Sequence, residues 1–115
     1  MSKAKDRLQK IMLAIEDIEY ILNEIKITKA LEDRVLKPAL RMHLVRIAEQ
    51  FNKLKDENEF EILERFKKED LRGISAVRNY IAHDYDSVDD EIIEMVLRYN
   101  LKDIKSVVEG ILDEE

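Results

Sequence analysis

Between Lys3 and Ile27 the apolar residues Leu8, Ile11, Met12, Ile15, Ile18, Leu22 and Ile25 recur mostly at spacings of three and four. At about 100° per residue this spacing gathers them into one stripe, which predicts a long amphipathic helix. Leu13, Tyr20 and Ile21 fall off the stripe, so a second side of this helix is expected to meet a neighbour or another subunit. Ile27-Thr28-Lys29 interrupts the pattern. A second helix is then expected from about Leu31 to Lys55, with Leu36, Leu40, Leu44, Ile47, Phe51 and Leu54 on one face. Pro38 lies inside it. A proline removes a backbone donor and crowds the carbonyl of Arg34, so either a kink or a true start near Lys37 is expected.

Asn58-x-x-Glu61 has capping-box spacing and predicts a short helix through Phe66, with Phe60, Ile62, Leu63 and Phe66 as its apolar side. After the polar stretch Lys67 to Asp70, the residues Leu71, Ile74, Val77 and Ile81 repeat at helical spacing, giving a fourth helix from about Asp70 to Ala82. Ser87-x-x-Asp90 and Asn100-x-x-Asp103 resemble capping boxes. Each precedes an apolar helical run, Ile92 to Leu97 and then Leu101, Ile104, Val107, Val108 and Ile111. No internal repeat or linker interrupts the chain. The expectation is therefore an all-α fold, one antiparallel helical bundle of about five to six helices forming a single domain over residues 1–115.

Composition narrows the classes. With 115 residues, 2 Gly, 1 Pro and no Cys, the chain lacks the turn residues of an all-β fold and any disulfide or thiol chemistry. Cytoplasmic residence is the expectation. Charge is spread so evenly that no apolar run of about 18 residues exists to span a membrane, and no signal-peptide core follows Ser2 to Lys10. A formal net charge of -6 speaks against a general nucleic-acid binder, and no DNA partner is expected. The charge is uneven, however. Residues 1–83 hold 17 basic and 15 acidic residues, a formal +2, whereas residues 84–115 hold 3 basic and 11 acidic, a formal -8. Arg34, Lys37 and Arg41 share one side of the second helix and form either a basic track toward a polyanion or a solvated face. The acidic third would restrict non-specific binding of polyanions or meet a basic partner.

The candidate chemistry sits in Ala76-Val77-Arg78-Asn79-Tyr80-Ile81-Ala82-His83-Asp84-Tyr85. Arginine offers a fixed-charge fork suited to phosphate, histidine titrates near neutrality, asparagine can orient either, and tyrosine adds a stacking face and a hydroxyl. Asn79 and His83 are one turn apart on one side of a helix, while Arg78 and His83 are about 140° apart on an ideal one. The two meet on one group only through the reach of arginine, a frayed helix end, or a second copy across a dimer. The same residues also suit a helix terminus, with His83 against the last carbonyls and Tyr80 and Tyr85 as rim residues.

The string RNYIAHDY is similar to the Arg-x4-His-x-Tyr signature of HepT-like toxins, a branch of the HEPN (higher eukaryotes and prokaryotes nucleotide-binding) superfamily. The helix order resembles that family over essentially the whole chain. Two stretches depart from it: Phe66 to Leu71 lacks a Pro-Trp pair, and Arg46-Ile47-Ala48-Glu49 stands where Gly-Glu-Ala is common. The resemblance implies a bundle that dimerises, bringing two motifs into one cleft. It implies the toxin of a type VII-like toxin–antitoxin pair, a metal-independent endoribonuclease using Arg78 and His83 with Asn79 in support. Its partner would be a minimal nucleotidyltransferase antitoxin that inhibits it by AMPylation of Tyr85. An alternative role is a non-catalytic, substrate- or nucleotide-binding helical subunit of a two-chain nucleotidyltransferase, and a third is a plain interaction bundle.

The chemistry is sufficient in type. RNA carries its own 2'-hydroxyl nucleophile, so proton transfer by His83 and charge stabilisation by Arg78 supply what cleavage needs. No cofactor is expected. His43 falls at the edge of an apolar face and reads as a packed, hydrogen-bonded residue. The two histidines are far apart without cysteine or a metal-binding motif, so no metal is expected. Glu16-Asp17-Glu19 and Asp84-Asp86-Asp89-Asp90-Glu91 read as solvated faces and helix-start charge. Gly73 and Gly110 are isolated and form no phosphate loop, which assigns any nucleotidyl transfer to another chain.

Overall fold

The apolar stripes condense into an all-α bundle. The computed structural model describes residues 3–84 and 90–114, with side chains at 3–81 and 90–114. Helix α1 (Lys3–Leu22) is followed by a single turn, α2 (Ile27–Ala30), and then by α3 (Leu36–Asp56). A second single turn, α4 (Phe60–Leu63), leads to α5 (Lys68–Asp84). Beyond it α6 (Asp90–Met95), a π-helical turn (Val96–Asn100) and α7 (Leu101–Asp113) follow without interruption.

α1 and α3 pack antiparallel: Arg7 near the start of α1 bonds Glu57 just past the end of α3, and Asp17 farther along α1 meets Arg46 earlier in α3. α3 then packs on α5, and α1 on α7, closing the bundle. Leu8, Ile11, Ile15 and Ile18 of α1, with Leu40, Leu44, Ile47 and Leu54 of α3, are fully enclosed. Each such side chain contributes about 1.5–3 kcal/mol by leaving water. The stripes predicted for the first two helices are thus the core, joined by Ile74, Val77, Ile93, Ile104 and Val108.

Local chemistry corrects several boundaries. The first helix ends at Leu22 rather than near Ile27. α3 begins at Leu36, matching the alternative start near Lys37, because Pro38 then falls in the first turn, where backbone donors lack intrahelical acceptors anyway. Asp33 organises that start: its Oδ1 accepts the backbone N–H groups of Val35 at 2.8 Å and Leu36 at 2.9 Å, which holds its carboxyl below the usual range. The Asn58-x-x-Glu61 capping box does not form, since the residue before α4 is Glu59 and makes no side-chain cap. Asn58 instead terminates α3. Its φ is 60°, and the N–H groups of Asn58 and Glu59 bond the carbonyls of Lys55 and Leu54, a Schellman arrangement.

Asn100 likewise starts no new helix. It is helical itself, at φ -71° and ψ -39°, within the π turn. Its side chain is committed elsewhere: Nδ2 donates to Asp70 Oδ1 at 2.8 Å, and Asp70 is the one buried charged residue among those described. Gly73 makes this possible, because a Cβ there would stand 3.1 Å from Asn100 Oδ1. Asp70, Gly73 and Asn100 therefore form a latch that fixes the π turn against the first turns of α5. Of the other expected cap, Ser87 lies outside the described residues, and Asp90 starts α6.

Candidate functional site

α5 runs as helix through Asp84, so Arg78, Asn79 and position 83 all belong to one regular element. A helix that continues past Ala82 keeps positions 78 and 83 about 140° apart, which removes fraying before His83 as the route that brings them together. The side chain of His83, and Tyr85 altogether, lie outside the described residues.

Arg78 points to the seam between α5 and α3. Its Nε donates to Glu49 Oε1 at 2.9 Å, and the two side chains stay 38% and 42% exposed. A guanidinium held by its Nε edge at a half-open surface is oriented but still accessible to solvent-borne anions. Asn79 is exposed and belongs to a different side of α5, where Arg72, Ser75, Ala76 and Asn79 line a groove of about 430 Å³. The opposite wall consists of Phe51, Asn52 and Lys55 of α3 with Leu63 of α4. Positions 75, 79 and 83 are successive steps of four, so the groove-lining stripe of α5 runs in register toward 83.

The groove is cationic. Lys55 and Arg72 line it and no carboxylate does among the described residues. Neither cation has an ion pair or a side-chain hydrogen bond among the described residues, whereas Arg7, Arg41, Arg46, Arg65, Arg78 and Arg98 all have one. Sequence reasoning missed Lys55, Arg72 and Ser75 as site residues, and it cited Glu49 only as part of a departure from the family pattern. The signal was present in the spacing: 72, 75, 76 and 79 form a helical face that is polar apart from Ala76.

The expected basic track behaves differently. Lys37 Nζ binds Asp90 Oδ2 at 2.8 Å and Arg41 Nη2 approaches Asp90 Oδ1 at 3.4 Å, so a carboxylate from the acidic third occupies two of its three cations. The acidic cluster of α1 is also engaged rather than merely solvated: Asp17 pairs with Arg46 at 2.9 Å and Glu19 with Lys105 at 2.8 Å. His43 is a packed residue, as expected. Arg46 Nη1 lies 2.7 Å from its Nδ1, and burial together with that neighbouring cation lowers its pKa, against a smaller opposing effect of Asp17. It serves Arg46 as a neutral acceptor.

A second open groove, of about 420 Å³, runs between α1 and α3 beside Glu49, with Leu13, Met42 and Val45 in its lining. Leu13 is 51% exposed, as its place off the α1 stripe anticipated, and Met42 of α3, which the hydrophobic pattern did not single out, is 57% exposed beside it. Among the described residues no helix is long and apolar enough to cross a membrane. The family model described as ribonuclease HepT-like matches residues 11–111, a span that includes the groove between α3 and α5, all of the second groove's lining but Lys10, and the whole of α5. No curated protein and no solved structure matches the chain.

Proposed function

The chain belongs to the ribonuclease HepT-like family, and on that premise we propose that it is the toxin of a type VII-like toxin–antitoxin pair, an endoribonuclease that works as a homodimer. The observation that carries this reading is the family match over residues 11–111, which contains Arg78, Asn79, His83 and Tyr85 together. His83 takes the proton of the RNA 2'-hydroxyl or gives one to the departing 5'-oxygen, the other transfer falling to water, and Arg78 stabilises the negative charge that develops on the phosphorane oxygens. Glu49 orients the Arg78 fork from α3. Because the register of α5 separates positions 78 and 83, the productive cleft combines the motifs of two copies. The exposed Leu13 and Met42, in a groove whose lining includes Glu49, supply apolar surface for that association next to Arg78. A minimal nucleotidyltransferase partner inhibits the enzyme by adding AMP to Tyr85, whose phosphate then competes with RNA for the cationic cleft.

The test is cleavage of RNA by the purified protein in EDTA. Positioned acid–base help is worth about 10²–10⁴-fold, so His83→Ala should lose at least that lower figure. Arg78→Lys should fail as well, because a point charge does not reproduce the planar fork. Cleavage at the wild-type rate in either variant overturns the assignment, and RNA binding without cleavage by the wild type favours the non-catalytic subunit. Incubation with the partner transferase and ATP should raise the intact mass by AMP, and a Tyr85→Phe chain should keep its mass.

A further inference from the structure

We propose that the groove between α3 and α5 is a nucleotide subsite that seats one unpaired residue of single-stranded RNA beside the cleavage site, with Lys55 and Arg72 holding its phosphates. This deepens, and rests on, the ribonuclease reading above. Three observations carry it. The groove collects two unpaired cations and no carboxylate among the described residues, in a chain whose net charge is -6. Arg7, Arg41, Arg46, Arg65 and Arg78 are held by carboxylates, whereas Lys55 and Arg72 meet none among the described residues and face one shared groove, which leaves both open to an external anion.

The lining is also amphipathic in the way a nucleotide is. The half-buried Leu63 and Leu71 provide an apolar surface for the face of a base, backed by the buried Phe51. Phe51 is fixed by an edge-on contact with Phe66, with ring centroids 5.0 Å apart. Asn52, Asn79 and Ser75 each offer both a donor and an acceptor to base edges or a ribose hydroxyl. A volume of about 430 Å³ falls within the range of roughly 300–1,000 Å³ that small-ligand sites occupy, and suits one nucleotide rather than a duplex. Finally, the groove ends at Asn79, adjacent to Arg78, and its α5 stripe continues in register to 83. A nucleotide seated there places its neighbouring phosphate along α5 toward the motif.

The experiment measures equilibrium binding of a short fluorescent single-stranded RNA to full-length His83→Ala protein over a salt series, separately from wild-type cleavage. A single-stranded contact contributes about 0.7 to the slope of log affinity against log salt, so Lys55→Ala with Arg72→Ala should lower that slope by about 1.4. Lys55→Gln and Arg72→Gln singly should each lower it by about 0.7. Ser75→Glu, which adds a carboxylate to the groove at an exposed helical position, should weaken binding at low salt, and duplex RNA should compete poorly. An unchanged slope in the double variant overturns the subsite even if His83→Ala abolishes cleavage. A lowered slope with no wild-type cleavage instead overturns the catalytic reading and keeps the subsite. Binding of a polyglutamate peptide with the same dependence on Lys55 and Arg72, in the absence of RNA binding, identifies a protein-docking surface and also overturns the proposal.

Discussion

The two ends of α3 carry cations of the same kind and treat them oppositely. Toward its start, Lys37 and Arg41 converge on Asp90 at the first residue of α6. Toward its end, Lys55 shares an open groove with Arg72, and neither meets a carboxylate among the described residues. Glu57, just past the end of α3, is turned to another helix and accepts from Arg7 Nη2 at 2.9 Å. Acidic residues of the C-terminal third also reach Lys67 and Arg65, through Asp103 and Glu114. The uneven charge of the chain thus works as a sorting device. Several basic residues are closed by intramolecular partners, and of those left open among the described residues Lys55 and Arg72 share the groove that Asn79 lines.

The contrast breaks most severely if α6 and α7 lose their seat. The Asp70–Asn100 hydrogen bond joins the π turn to α5, and the carboxyl it satisfies is only 3% exposed. Asn100→Ala removes the partner of a buried acid, so thermal or urea unfolding should report a loss of about 1.5–3 kcal/mol. Gly73→Ala sharpens the point. A Cβ at position 73 meets the Asn100 amide at 3.1 Å in the wild type, but in the Asn100→Ala background that obstacle is gone. There the substitution should gain up to about 1 kcal/mol from helix propensity, and in the wild type less. Equal effects of Gly73→Ala in both backgrounds would show that the latch does not constrain the turn.

These features differ in how legible they were. The α1 and α3 stripes were plain in the sequence because a buried face imposes its period on many residues at once, and Leu8, Ile11, Ile15, Leu40, Leu44 and Ile47 repeat it. Arg78 and Asn79 were legible through one short motif, which the structure places on two different sides of α5. Asn58 and Asn100 misled because a capping pattern is local, while what asparagine does is settled by φ at one position and by a partner 30 residues away at the other. Lys55 and Arg72 were invisible for a related reason. Sequence counts charges, but whether a cation is open depends on which carboxylates the fold brings to it, and Asp90 reaches Lys37 across 53 positions.

A milder perturbation converts one end of α3 into the other. Asp90→Asn leaves Lys37 and Arg41 without their carboxylate while touching nothing in the core. These side chains are 24–40% exposed, so solvent screening limits the stability change to about 0–1 kcal/mol. The larger consequence concerns RNA. With two cations released, the salt dependence of RNA binding should steepen by up to about 1.4 and discrimination among RNAs should fall. An unchanged salt slope would mean that Asp90 does not screen this surface.

The smallest effect lies at the carboxylates that hold the bundle ends, and its sign follows from their pKa shifts. Hydrogen bonds from Arg7 and from Arg65 lower the pKa of Glu57 and of Glu114, and backbone N–H groups lower that of Asp33. A depressed carboxyl contributes stability that is fully present above its unfolded value, near 4 on the ordinary scale, and is lost as the pH falls through the folded one. Melting temperature should therefore be insensitive to these three groups at neutral pH and decline in acid, below about pH 4. Glu57→Gln should flatten that acid limb while leaving the RNA salt slope at Lys55 unchanged, because Glu57 pairs with Arg7 and not with the groove. A Glu57→Gln chain whose RNA affinity rises would show instead that this carboxylate screens Lys55, and that the open end of α3 is partly closed.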